Sequence, residues 1–206
     1  MKFVITIGRQ LGSGGKIIGE KLSERFSIPL YDKELINLAS NKSGLKTDFF
    51  EKADEKKSFF SFGNIFGFRT SSLEHSSANY LSNETLFQIQ SDVIKNLAQK
   101  ESCIIVGRCA DYILRNEQNL LKIFISANIN DRINRLMQAT SRTEKEIKSL
   151  IEATDKKRAD YYGFFSNKTW GDAKNYDLCI NSSVLGIEKS TYFIENFANF
   201  LKIQKV

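Results

Sequence analysis

The chain has 206 residues, 41% of them hydrophobic and 26% charged, which is enough apolar material for one full core with a small inserted lobe. The 30 Lys and Arg against 24 Asp and Glu give a net charge of +6. This excess favours anionic ligands, but it is spread along the chain with no basic tract or aromatic-interleaved stripe, which argues against nucleic-acid binding. No apolar run is long enough to span a bilayer, and Phe3–Ile7 is too short for the apolar region of a signal peptide, so a cytoplasmic protein is expected. Cys103, Cys109 and Cys179 are odd in number and form no CxxC pair. They read as reduced core residues.

Phe3–Ile7 is a β-branched and aromatic run that predicts a buried strand. A glycine-rich turn follows, and then Ile17, Ile18, Leu22 and Phe26 recur at helical spacing. Pro29 introduces a second short strand ending near Tyr31, and Asp32 can cap a helix carrying Leu35, Ile36 and Ala39. Residues 43–83 are rich in Ser, Gly, Phe, Asn and Lys, with five phenylalanines between Ser58 and Phe68. This stretch reads as an inserted lobe or cover; a local apolar cluster and a dimer contact are the alternatives.

Helical spacing returns from Glu84 to Lys100, with Leu86, Ile89, Val93, Ile94 and Leu97 on one face. Ser102–Val106 and Leu120–Ile125 predict a third and a fourth strand, and Tyr176–Ile180 a fifth. Between them lie helices expected over Asn130–Ala139 and Thr143–Tyr162, and a helix from Gly186 to Lys202 closes the chain. Strands alternating with helices predict an α/β fold, a parallel sheet with both faces covered.

Several groups at the C-terminal ends of these strands could carry chemistry. A strand, a glycine-rich turn and a helix N-terminus together aim backbone N–H groups at one point, which suits phosphate. The turn is Gly12-Ser13-Gly14-Gly15-Lys16, a variant of the pattern GxxxxGK[ST]. Counted back from Lys16, Gln10 occupies the first glycine position and Ile17 the position of the magnesium hydroxyl. Matched instead through Gly12 and Gly14, the lysine falls one place late. Arg9 and Ser13 are candidates for contacts that the standard motif takes from elsewhere.

Asp32 sits at the same sheet edge, either meeting substrate or a magnesium-bound water, or capping a helix; Lys33 is a phosphate contact or a solvated residue. Gly107-Arg108 follows the third strand, where arginine can clamp phosphate with two parallel hydrogen bonds. Asp111 orients Arg108, touches a sugar hydroxyl or caps the next turn. In the charged segment Asp155–Tyr162, cations could close over a transferring phosphate, with Arg142 and Arg158 preferred and Lys157 next. His75 has no acid or cysteine at triad or metal spacing. Trp170-Gly171-Asp172 and Asn175-Tyr176-Asp177 shape a base pocket or fix a loop.

Taken together, Ile5–Gly15, Tyr31–Ile36, Ile104–Leu114, Asp155–Tyr162 and Trp170–Ser183 resemble the cytidylate kinase-like proteins, a branch of the P-loop nucleoside monophosphate kinases. The resemblance covers nearly the whole chain apart from the Phe-rich insert. It implies a three-layer sandwich around a five-stranded parallel sheet, in a single domain with a helical monophosphate-binding insert at about 40–85 and a lid at about 140–172. It also implies that Gly12, Ser13, Gly14, Gly15, Lys16 and Ile17 hold ATP phosphates, that Asp32, Arg108 and Asp111 meet the acceptor, and that Lys16, Arg142 and Arg158 serve catalysis. Magnesium would bridge the phosphates, with no protein ligand assigned. The implied reaction is phosphoryl transfer from ATP to CMP, dCMP or a related small phosphorylated acceptor, which needs positioning and charge neutralisation more than a nucleophilic side chain. A non-catalytic nucleotide-binding or sensing protein is the alternative, and an interaction module or homodimer built on the Phe-rich insert is a third reading.

Overall fold

The computed structural model describes residues 2–32 and 77–204. The helix expected over Leu35–Ala39, Lys33, His75 and the Phe-rich stretch 58–68 lie outside the described residues.

Five strands form one parallel sheet in the order β2-β3-β1-β4-β5. They are β1 (Val4–Arg9), β2 (Leu30–Tyr31), β3 (Cys103–Val106), β4 (Leu120–Ser126) and β5 (Leu178–Asn181). β1 is central, with Val4 beside Cys103 on one side and Leu120 on the other. The helices are α1 (Gly15–Phe26), α2 (Ser77–Lys100), α3 (Ala110–Ile113), α4 (Ile129–Ala139), α5 (Glu144–Ser166) and α6 (Ser182–Gln204).

Alternating side chains send the strand residues to two cores. Ile5, Ile7, Ile104, Val106, Ile123 and Ile125 pack with Ile18 and Leu22 of α1 and Ile194 and Ala198 of α6. On the opposite face Val4, Cys103 and Ile105 meet Val93, Ile94 and Ala98 of α2 and Ala110 and Ile113 of α3. Ile133, Ile147 and Ile151 form a smaller core that joins α4 to α5 and takes in Leu11 of the glycine-rich turn. That core seats α5, which spans much of the expected lid, against the turn.

Four points depart from expectation. The helix expected from Glu84 begins at Ser77, because a polar opening composition is only a weak bar to helix once the following turns pack. Cys179 is exposed on the edge strand β5, whereas Cys103 and Cys109 are buried. α3 was not expected at all; it is a single turn set by left-handed backbone at Cys109, φ 55°. Gly186, the expected start of the last helix, is instead a break inside α6 with φ 71° and ψ 172°. α5 starts where a capping box predicts, with the Thr143 and Glu146 side chains each bonding the other's backbone N–H.

Candidate functional site

The chain leaves β1 at Arg9 and turns through Gln10–Gly14 into α1. The Gln10 amide donates to the Ile125 carbonyl at 3.0 Å, and the Gln10 side-chain oxygen accepts from the Ala127 amide at 3.1 Å, so the turn begins stitched to β4. Gly12 has φ +76°, and a Cβ there would lie 2.8 Å from the carbonyl oxygen of Arg132. Both its backbone conformation and the close approach of α4 therefore require glycine. The Ser13 hydroxyl donates to the Gln10 carbonyl at 2.8 Å, and the Ser13 carbonyl accepts from Ser182 Oγ at 2.7 Å. The first intrahelical bond of α1 is Ile18 N–H to the Gly14 carbonyl, 2.9 Å. The N–H groups ahead of that bond thus open the helix outside its ladder, an arrangement suited to an anion.

Helices α4 and α5 hold the outer side of this turn. Arg158 Nη1 donates to the Arg9 carbonyl at 2.9 Å, Arg132 Nε to the Leu11 carbonyl at 2.7 Å, and Arg135 Nη1 to the Gly12 carbonyl at 3.0 Å. Asp155 Oδ1 accepts from the Leu11 amide at 2.8 Å, and its Oδ2 is ion-paired with Arg132 Nη2.

Beside the turn, at the C-terminal edge of the sheet, lies a cavity of about 470 Å³. Its size suits a small organic ligand. Arg9, Lys16, Arg108 and Arg158 supply its cations, and Trp170, Tyr161, Tyr162 and Tyr176 its aromatic walls. Burial, and then the guanidiniums of Arg158 and Arg108, push the Arg9 pKa down to about 9; the group remains cationic at neutral pH. Burial also lowers the Arg158 pKa, with Asp155 pulling the other way. Among the described residues, neither Arg9 nor Arg108 has a carboxylate within ion-pairing distance. Lys16 Nζ is 2.9 Å from Asp32 Oδ2.

Arg108 sits in a turn in which Gly107, Arg108 and Cys109 have φ of 80°, 61° and 55°. This left-handed run points the Arg108 side chain at α2 and α5. Its Nε donates to Gln90 Oε1 at 3.0 Å and its Nη2 to Tyr161 Oη at 3.1 Å, with the Tyr161 ring 4.9 Å from Cζ. Neutral partners orient the guanidinium while leaving its charge for a ligand. Burial raises the Tyr161 pKa to about 12, so its hydroxyl stays neutral.

On the far wall, Tyr162 Oη donates to Asp111 Oδ2 at 2.7 Å. Burial raises the Asp111 pKa, although this bond and backbone N–H groups oppose the shift. The folded state therefore holds the Asp111 proton more tightly than the unfolded chain. This group's contribution to stability is fullest at low pH and is lost as pH rises from the ordinary carboxylate range through the raised folded value. Asp111→Asn keeps an acceptor for Tyr162 and removes the charge. Its thermal midpoint relative to the parent is expected to improve as pH rises across that window; a difference that stays constant from pH 4 to 8 would contradict this assignment.

The structure brings Lys16, Asp32, Arg108, Asp111 and Arg158 to one cavity. It does not place Arg142 or Ile17 there. Arg142 precedes the capping box in the connection between α4 and α5, and the Ile17 side chain is 46% exposed. Gly12, Gly14 and Gly15 form the adjoining turn, but the Ser13 hydroxyl is spent within that turn. Lys157 is exposed. Gln90, Tyr161, Tyr162, Arg132 and Arg135 were not singled out from sequence. The only signal for the last two is their spacing of three on one helix.

The sequence profile of the cytidylate kinase-like family matches residues 4–184. No curated protein matches the chain significantly. Among solved structures, an uncharacterized protein from Eubacterium ventriosum is 26% identical with a TM-score of 0.72, over 96% of this chain and 99% of that one. A shikimate kinase from Bacteroides thetaiotaomicron, 13% identical, aligns with a TM-score of 0.54 over 96% of this chain and 98% of its own. The shikimate kinase from Acinetobacter baumannii in complex with shikimate, 11% identical, aligns with a TM-score of 0.51 over 98% and 96%. The two kinases are similar in fold alone, the three-layer arrangement of the P-loop kinases. Among the described residues no helix is long and apolar enough to cross a membrane. By its profile match over most of its length, the chain belongs to the cytidylate kinase-like family.

Proposed function

We propose that the protein transfers the terminal phosphoryl group of ATP to a small acceptor that already carries a phosphate, with CMP or dCMP the first candidates. The observation that carries this reading is the convergence of Arg9, Arg108 and Arg158 in one cavity beside the glycine-rich turn. Three guanidiniums at close quarters repel one another, and a bound anion relieves that repulsion. An acceptor phosphate and the donor's terminal phosphate are the natural counter-charges. The aromatic walls at Trp170, Tyr161, Tyr162 and Tyr176 suit a planar base.

The chain's own groups divide the work. The turn and the first amides of α1 hold donor phosphates, Arg108 holds the acceptor's phosphate, and Arg158 and Lys16 neutralise charge as the group moves. Asp32 is the carboxylate at this edge suited to hold a magnesium-bound water, since magnesium is commonly bound through one or two carboxylates together with substrate phosphates. Bound there, magnesium would neutralise phosphate charge. We also propose that α5 acts as the lid.

The test is incubation with ATP, magnesium and a panel of nucleoside monophosphates and other phosphorylated acceptors, following ADP. Transfer to CMP or dCMP is expected; no ADP with any acceptor, together with no ATP binding, would sink the reading. One observation favours a non-catalytic nucleotide-binding protein instead. The position of the usual magnesium hydroxyl is Ile17, whose side chain is exposed and apart from the cavity. Calorimetry showing nucleotide binding without turnover would decide for that alternative.

A further inference from the structure

We propose that Asp155 is a positioning residue that sets the shape of the glycine-rich turn for its anion; this rests on reading that turn as the donor-phosphate site. Standard turns of this type have a glycine at the start and a hydroxyl after the lysine, and this chain has neither in register. Its turn is instead gripped from outside. Three arginines from α4 and α5 donate to the carbonyls of Arg9, Leu11 and Gly12. Carbonyls drawn outward in this way cannot face a phosphate, and the Gln10, Leu11 and Ser13 amides are likewise bonded within the protein, so the anion is met by the end of the turn and the N-terminus of α1.

Asp155 holds this grip together. It accepts the Leu11 N–H at 2.8 Å, pairs with Arg132, and lies 3.8 Å from Arg158. Its side chain is only 16% exposed and that of Arg132 only 7%. Without the carboxylate, Arg132 and Arg158 face each other across a low-dielectric gap and the Leu11 amide loses its acceptor. The backbone between Arg9 and Gly12 then has no reason to keep its present course. Asp155 meets the backbone of the turn and the arginines that grip it, so its effect on a nucleotide passes through the turn.

Two variants and two readouts test this. The readouts are hydrogen exchange of amides in residues 9–15 and the affinity for ADP by calorimetry. In Asp155→Ala, exchange in the turn is expected to quicken at least tenfold and ADP to bind at least tenfold more weakly, while exchange in β3 and β4 is unchanged. Asp155→Asn keeps an acceptor for Leu11 but loses the charge opposite Arg132, and should fall between parent and alanine variant. A folded alanine variant with exchange and ADP affinity within twofold of the parent overturns the proposal. If the alanine variant does not fold, the asparagine variant decides, and parental values there overturn it equally. If the parent itself fails to bind ADP, the functional reading fails, and exchange in the turn still decides the role of Asp155.

Discussion

Arg108→Ala is expected to lower kcat/KM for the phosphorylated acceptor by roughly 30- to 4,000-fold, matching the ~2–5 kcal/mol typical of truncating one partner of a buried charge pair. The loss should exceed that of an ordinary surface arginine because this guanidinium is already oriented. Gln90 holds Nε and Tyr161 holds Nη2, so little side-chain freedom remains to be lost when a phosphate binds. Arg108→Lys should recover little of the activity. An ammonium offers a point charge in place of the planar fork and cannot reproduce the two neutral contacts together. Steady-state kinetics with the acceptor varied at saturating ATP gives the number, and a thermal melt checks that the fold survives. Unchanged kcat/KM in a folded alanine variant would remove Arg108 from the acceptor site.

Gly107→Ala is expected to act on the same site through a different residue. Gly107 has φ +80°, and a Cβ there would lie 2.0 Å from Arg9 Nη1 and 3.0 Å from its Cζ. The left-handed conformation alone costs a residue with a Cβ ~1–2 kcal/mol, a fall in thermal midpoint of roughly 2–8 °C for a chain of this size. The steric clash falls on the far end of a long side chain, so Arg9 swings away and the fold is kept. Acceptor affinity should drop at least tenfold as one of three converging guanidiniums leaves. A double-mutant cycle separates the causes: added to Arg9→Ala, the Gly107→Ala change should weaken acceptor binding little further. Full additivity would show that Gly107 acts independently of Arg9.

The layout of the sheet was legible because its strands are short β-branched runs between turn signals. Ile104-Ile105-Val106 and Ile123-Phe124-Ile125 permit few other readings. The glycine-rich turn and Gly107-Arg108 were legible for a related reason, since glycine directly after a strand marks backbone that must bend or be approached closely. The outer grip on the turn was not. Arg132 and Arg135 look like solvated helix residues, and only the packing of α4 against Gly12 turns them inward. Nothing local to Tyr162 points to its partner Asp111, 51 residues away. Charge and segment alone favour Arg142 for a lid; it lies just before the capping box and is not among the residues that line the cavity. Charge type is local to the sequence, whereas direction depends on how helices pack.

The central position of β1 has a consequence for synthesis. Val4 is flanked by Cys103 and Leu120, so this apolar strand leaves the ribosome long before either neighbour exists. At ~5–20 residues per second the wait for β3 is roughly 5 to 20 s. During that interval Ile5 and Ile7 have α1 for cover, and Val4 has none until the helix Ser77–Lys100 is made. A nascent chain halted before β3 should therefore be a strong client for chaperones that recognise extended apolar segments, and one released after β4 a much weaker one.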